Sequence, residues 1–157
     1  MEINEGQTLT FDHVASYRSK LRLVDTKEPF NRFIQHLKTN GLEKVGPLIT
    51  TTHEIVGNQP EDIMVDVEFL IPVSQAFESE NEYVYKGDFR LVHALKLSHI
   101  GNPALLNQSY ELLESYIIQN KLQKITPFYN VSLNDASVKH GEIPVTDIYA
   151  GINPSSL

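Results

Sequence analysis

The chain has 157 residues, of which 41% are hydrophobic and 21% charged, a composition that fits one globular domain and excludes a wholly disordered chain. Its net charge is −7, whereas a free-standing nucleic-acid binder normally carries a basic face, so we expect no nucleic-acid partner. The absence of cysteine excludes disulfides, thiolate metal sites and cysteine nucleophiles, and the lack of a signal peptide or a long apolar run predicts a cytoplasmic protein without a membrane partner.

The first half of the chain predicts a strand, a helix and two further strands. The first strand lies in 8–24, and the helix that follows ends at Gly41, a residue that tolerates positive φ. The run 48–56 is rich in β-branched residues, and 63–73 alternates apolar with other residues, so both are predicted strands. One buried stripe of the helix has the i, i+3, i+4, i+7 spacing: Phe30, Phe33, Ile34 and Leu37.

The second half repeats this order. A strand is predicted over 89–98, and a helix over 102–120 is opened by an Asn-Pro pair. Two strands follow, over 125–133 and 145–152. The predicted buried stripe of this helix is Leu106, Tyr110, Leu113 and Ile117. Two polar segments are predicted to be the link between the halves and a loop: 74–82 and 134–141.

The two halves align when the sequence is shifted by 80 residues. Five identities then fall in the same order on the same predicted elements: His13 and His93, Asn40 and Asn120, Leu42 and Leu122, Lys44 and Lys124, Pro47 and Pro127. We therefore predict a single α+β domain, 1–157, made of two pseudo-symmetric strand-helix-strand-strand repeats, about 8–73 and 86–154. The repeats are expected to form one curved antiparallel sheet with both helices on one face, and the uncovered face is expected to be a ligand groove.

Strand alternation assigns candidate ligand-binding residues to that uncovered face. If Val67 and its odd-numbered neighbours point to the helix, the carboxylates between them point to the groove. Carboxylates and aromatic rings together favour an organic cation or a polar aromatic ligand. The competing interpretation is structural, because acidic residues on strands are commonly solvated and rings are commonly packed. The ligand-binding candidates are Glu68, Asp147, Tyr149, Tyr129 and Asp66.

No sequence motif indicates a metal, a cofactor or a catalytic residue. The six histidines, which include His13, His93 and His140, lack the spacing of a metal-binding helix. Neither a nucleophile elbow nor a glycine-rich phosphate loop is present. We therefore expect no metal, no cofactor and no catalytic residues.

The chain resembles the GyrI-like, or effector-binding, domains of bacterial transcription regulators (the SOUL/GyrI type). The resemblance rests on Asn40-Gly-Leu followed by Gly46-Pro47, and on Val67-Glu-Phe-Leu-Ile-Pro-Val and Thr146-Asp-Ile-Tyr-Ala-Gly-Ile. It implies a stand-alone bacterial member with an acidic residue at a ligand cleft, which falls on Glu68 and Asp147 here. Two departures are that Asp147 replaces the usual Glu and that Ala150-Gly-Ile replaces an apolar-Pro-apolar ending.

The main functional hypothesis is a non-enzymatic protein that binds a small organic ligand, cationic or aromatic. A first alternative is a protein-interaction module, since the chain also looks like small Gram-positive proteins of this fold, some encoded near secreted-toxin loci. Its second helix adds Leu112, Tyr116 and Ile118 to the core stripe, so a homodimer or another protein is expected on that helix or on the open sheet face. A second alternative is a hydrolase, because some GyrI-like proteins are similar to hydrolases that pair a Glu with a Tyr.

Overall fold

The computed structural model describes residues 2–134 and 142–155, so His140 and most of the predicted loop 134–141 lie outside the described residues. The described residues form an α+β fold in which a strand-helix-strand-strand order occurs twice, which confirms the predicted fold class. The strands are β1 Ile3–Arg22, β2 Ile49–Val56, β3 Met64–Pro72, β4 Tyr83–Ile100, β5 Lys124–Ser132 and β6 Val145–Ile152. The helices are α1 Lys27–Thr39 and α2 Leu106–Gln119, each preceded by a short 3₁₀ turn.

The chain divides into two compact units. The N-terminal unit is Phe11–Phe89, and the C-terminal unit combines Met1–Thr10 with Arg90–Leu157. These units differ from the predicted repeats, and β1 and β4 are longer than predicted. The start of β1 belongs to the C-terminal unit, and the start of β4 belongs to the N-terminal unit.

In the N-terminal unit β3 is the central strand and pairs antiparallel with both β1 and β2. Odd-numbered residues of β1 and β3 pack against α1, which leaves the even-numbered residues on the opposite face. The buried core is Ala15, Tyr17, Phe33, Leu37, Leu42, Ile71 and Val73. Helix α1 ends where predicted, because Gly41 has a φ of +68° and the amide of Leu42 donates to the carbonyl of Leu37.

The C-terminal unit follows the same plan, with β6 between β4 and β5. Its core is Leu95, Leu97, Leu113, Ile117, Ile148 and Ile152. The predicted opening of the second helix needs a correction. Asn102 accepts a hydrogen bond from the amide of Ala104 and caps the 3₁₀ turn Pro103–Leu105, so α2 itself begins at Leu106.

Strand register shows how closely the two units correspond. Arg18 lies opposite Glu68 in one unit, and Ser98 lies opposite Asp147 in the other. The first residues of these pairs are 80 positions apart and the second 79. The same correspondence relates a pair on the other side of each central strand: Ile49 opposite Leu70, and Tyr129 opposite Tyr149. Both units thus use one pattern of strand pairing.

The described part of the chain contains no helix that is long and apolar enough to cross a membrane.

Candidate functional site

A buried carboxylate lies on β3, on the sheet face that points away from α1. The side chain of Glu68 is surrounded by three hydrogen-bond donors, and the residue is only 4% exposed. Its Oε2 atom accepts from Ser16 Oγ at 2.6 Å and from Lys86 Nζ at 2.6 Å, and its Oε1 atom lies 3.0 Å from His53 Nε2. We call Glu68, Ser16, His53 and Lys86 the Glu68 network.

The network keeps Glu68 ionised. Burial by itself raises the pKa of a carboxyl, but the hydrogen bonds from Lys86, Ser16 and His53 outweigh burial, so the pKa of Glu68 lies below its ordinary value. Because an ionised carboxylate only accepts hydrogen bonds, the Nε2 atom of His53 must carry the hydrogen that it shares with Glu68. At neutral pH the Glu68 carboxylate therefore carries a full negative charge that is shielded from water and balanced by the ammonium of Lys86.

Each member of the network reaches Glu68 for a separate structural reason. Ser16 is an even-numbered residue of β1 and so shares the face of Glu68. His53 is the extra residue of a β-bulge in β2, which interrupts the register with β3 and re-aims the ring. Lys86 comes from the first part of β4. Its side chain is 43% exposed, and its ammonium contacts the carboxylate of Glu68.

Asp66 lies two residues before Glu68 on the same face, but its charge is committed to an arginine. Arg18 binds Asp66 through two hydrogen bonds, Nε to Oδ1 at 3.0 Å and Nη2 to Oδ2 at 2.9 Å. These hydrogen bonds are the main reason why the pKa of Asp66 is lowered. A bidentate pair of this kind already supplies the carboxylate with a cation of the chain.

The other three predicted residues lie together in the C-terminal unit. Asp147 accepts a hydrogen bond from Ser98 Oγ at 2.6 Å, and Lys96 Nζ lies 4.0 Å from its Oδ2 atom. Tyr149 is directly opposite Tyr129 across the β5–β6 pair. Burial first, and then the charge of Asp147, raises the pKa of Tyr149, so its hydroxyl stays protonated. The unit thus presents one carboxylate and two rings on neighbouring strands.

One expectation about the site needs correction. The carboxylates lie on the sheet face that strand alternation predicted, the face away from the helix. That face is not an open, purely acidic surface at these positions, because Glu68 and Asp147 are buried. Each carboxylate also faces a cation of the chain: Glu68 and Lys86, Asp66 and Arg18, Asp147 and Lys96. Lys86 was missed because it precedes the predicted start of β4, whereas the predicted alternation of β4 already contained Lys96.

Only part of the predicted apolar face of α2 is exposed to solvent. Leu112 and Ile118 are 46% and 74% exposed, whereas Tyr116 packs against the core and donates to Glu5 Oε2 at 2.7 Å. Six helical positions separate the two exposed residues, which places them about 120° apart around the axis. They therefore lie on different sides of α2 and do not form one stripe.

Two cavities of the N-terminal unit lie away from the predicted ligand residues. One, of about 630 Å³, lies between the end of β1 and the start of α1; the other, of about 500 Å³, lies beneath the segment 41–44. The described residues hold no group of three or more histidines and carboxylates placed to bind a metal. His13 instead pairs its Nδ1 atom with the hydroxyl of Tyr85 at 2.7 Å.

Comparison with known proteins identifies the fold and no family. No protein-family model matches the sequence, and no curated protein matches it. The crystal structure of the EcmrR C-terminal domain is similar in fold, with a TM-score of 0.72 and 15% identity over 98% of this chain and 99% of that domain. EcmrR in a complex with DNA gives the same TM-score and identity, but this chain spans only 57% of that protein's length.

Two Listeria innocua proteins share the fold more distantly. An uncharacterized conserved protein has a TM-score of 0.62 at 10% identity, and a protein described as a hydrolase has a TM-score of 0.58 at 9% identity. Both alignments cover 97% of this chain and 91% of the other. At such identities the likeness concerns the fold alone.

Proposed function

We propose that this protein binds a small organic cation at the Glu68 network and does so without catalysing a reaction. The observation that carries the proposal is a buried, ionised carboxylate on the face away from the helix, whose balancing charge comes from a partly exposed lysine. A buried carboxylate needs a cation and hydrogen-bond donors to offset its desolvation. In this site the ammonium of a partly exposed lysine already provides the cation, so a positively charged ligand can take its place.

The resemblance to GyrI-like domains also supports Glu68 as a ligand-binding residue, because it assigns the acidic position of the ligand cleft to Glu68 and Asp147. The shared fold with the EcmrR C-terminal domain is compatible with that resemblance. In the C-terminal unit, Asp147, Tyr149 and Tyr129 form the corresponding set, with rings that offer stacking or cation–π contact. We regard Glu68 as the principal ligand carboxylate and Asp66 as a structural partner of Arg18.

The pKa directions disfavour the alternative of a hydrolase that uses Glu68. A general acid that works near neutral pH needs a raised carboxyl pKa, whereas the pKa of Glu68 is lowered. Its hydrogen-bond partners are a serine, a histidine and a lysine, and none of them is the tyrosine of the expected Glu–Tyr pair.

Calorimetric titration with 4-phenylbutylammonium, an aromatic cation, and with the neutral 4-phenylbutan-1-ol tests the proposal. The cation should bind the wild type and the alcohol should not. Glu68→Gln should weaken cation binding about 10- to 100-fold, the range expected for a hydrogen bond to a charged group. Asp66→Asn is the matched control on the same face and should leave the affinity within about threefold. Equal binding of cation and alcohol, or equal effects of the two substitutions, would contradict the proposal.

A further inference from the structure

Lys86 occupies the place where a cationic ligand of Glu68 would put its charge. The ammonium lies 2.6 Å from Glu68 Oε2, the same atom that accepts from Ser16. The carboxylate is almost wholly buried, while the lysine side chain that reaches it is 43% exposed. The ammonium thus closes the solvent side of a charge that is otherwise enclosed by protein.

The position of Lys86 in the chain makes it separable from the rest of the network. Ser16 and His53 belong to β1 and β2, strands that pair with the strand of Glu68 itself. Lys86 instead comes from the beginning of β4, a few residues after the exposed segment 78–82, and is followed by Gly87 and by Asp88 with a φ of +53°. Moving the lysine side chain into water therefore breaks no hydrogen bond of Ser16 or His53 to Glu68.

We propose that Lys86 is a built-in competitor of the ligand: its ammonium occupies the cation site in the free protein and returns to water when a ligand binds. The inference rests on the proposed function, and it also specifies the ligand. Because Lys86 donates a hydrogen bond to Glu68, the ligand head group that replaces it is a cation with N–H donors, such as a primary ammonium or an amidinium. A quaternary ammonium has the charge but no donor.

Exchange of one ammonium for another is energetically reasonable at this site. Removing the hydrogen-bonded cation from a buried carboxylate is strongly unfavourable, whereas replacing it keeps the charge compensated throughout. The cost of the exchange appears as a reduced apparent affinity, since the ligand binds only the fraction of molecules in which Lys86 has left. If the lysine is in place in about nine of ten molecules, its removal should tighten cation binding about tenfold.

Chemical rescue of a Lys86→Ala variant by n-butylammonium, an amine as long as a complete lysine side chain, tests the inference. The variant should melt at a lower temperature than the wild type, and n-butylammonium should raise its melting temperature towards that of the wild type. The amine should bind the variant about ten times more tightly than the wild type. Butan-1-ol and tetramethylammonium are the ligand controls, and a Glu68→Gln/Lys86→Ala double variant is the protein control; none of these should show rescue.

A second measurement uses the wild type and does not depend on the variant folding. Acetylation of Lys86 by acetic anhydride, followed by mass spectrometry, should be slow in the free protein and several-fold faster when benzamidinium, a cation with N–H donors but no free amine for the anhydride to acetylate, is bound. Glu68→Gln should give the fast rate without ligand. Binding of the cation with no change in Lys86 acetylation, or rescue that persists in the double variant, would overturn the role of Lys86 while the proposed function stands. Failure of every variant to bind any cation would overturn both.

Discussion

At the scale of single residues, the two carboxylates on the sheet face away from α1 are paired in different ways. Asp66 is tied to Arg18 by two parallel hydrogen bonds, one on each carboxylate oxygen, a geometry that matches the arginine fork. Glu68 is instead shared among a hydroxyl, an imidazole and a lysine ammonium, a point charge on a flexible stem. The second arrangement is the more exchangeable, because the lysine can leave while the hydrogen bonds from Ser16 and His53 remain.

The lowered pKa of Glu68 predicts a pH dependence of stability. A carboxyl whose folded-state pKa lies below the unfolded value of about 4.3 stabilises the protein fully above that pH and loses its contribution as the pH falls through the folded-state pKa. Urea unfolding between about pH 3 and pH 7 should therefore show a steeper acid loss of stability in the wild type than in Glu68→Gln.

The control for this pH series is Glu54→Gln, which removes an exposed carboxylate from the adjacent strand β2. It should leave the acid slope close to that of the wild type. Part of the slope should also persist in Glu68→Gln, because the pKa of Asp66 is lowered as well. Identical slopes in the wild type and Glu68→Gln would show that Glu68 is not held ionised by its network.

At the scale of elements, local packing explains why β6 has Gly151 where GyrI-like domains usually have a proline. Pro72 ends β3, and Gly151 is its counterpart in β6. The amide of Gly151 donates to Thr126 Oγ1 at 2.8 Å, a hydrogen bond that a proline cannot make. A Cβ at Gly151 would also lie 2.7 Å from the methyl carbon of Thr126 and 3.0 Å from Leu91 Cδ1. The glycine is therefore required by close approach.

Gly151→Ala should destabilise the protein by about 1–3 kcal/mol through overpacking, since the β-branched Thr126 can yield only by leaving its rotamer. Gly41→Ala is a contrasting substitution, because a Cβ there meets nothing within 4 Å but the φ of +68° is unfavourable for alanine, at a cost of about 1–2 kcal/mol. Adding Thr126→Ser to each variant separates the two causes in urea unfolding. The second substitution should partly rescue Gly151→Ala and should not rescue Gly41→Ala.

Sequence patterns predicted the elements whose apolar residues follow a regular period and failed where geometry departs from strict alternation. The alternating runs of β3 and β6 placed Glu68 and Asp147 on the correct face, because the other face of each strand carries the apolar residues that pack against the helix. The start of β4, with Gly87 and Asp88, has no apolar alternation, so Lys86 was not predicted to lie on a strand. No sequence pattern marks a bulge that re-aims one side chain, so the contact between His53 and Glu68 was not predicted either.

At the scale of the whole molecule, two strands each serve both compact units. Residues 3–10 of β1 belong to the C-terminal unit and the remainder to the N-terminal unit, while β4 is divided in the opposite sense at Phe89. The N-terminal unit therefore depends on residues beyond the link between the repeats. Tyr83 packs on Phe33 and Tyr17 in its core, and Lys86 completes the Glu68 network. The C-terminal unit in turn packs Ile3 against its core and uses Glu5 as the partner of Tyr116.

This exchange of strand segments predicts that the two halves of the sequence are not independent folding units. A cut between Glu80 and Asn81 gives fragments 1–80 and 81–157, and each lacks residues that its core needs. Neither fragment alone should show a cooperative urea transition, because chains of about 80 residues are only marginally stable even with a complete core. An equimolar mixture should regain the circular dichroism and the transition of the intact chain, since the missing strand segments are then supplied. A cooperative transition in either separate fragment would mean that the segments of β1 and β4 are dispensable, and that the sequence repeats are themselves the folding units.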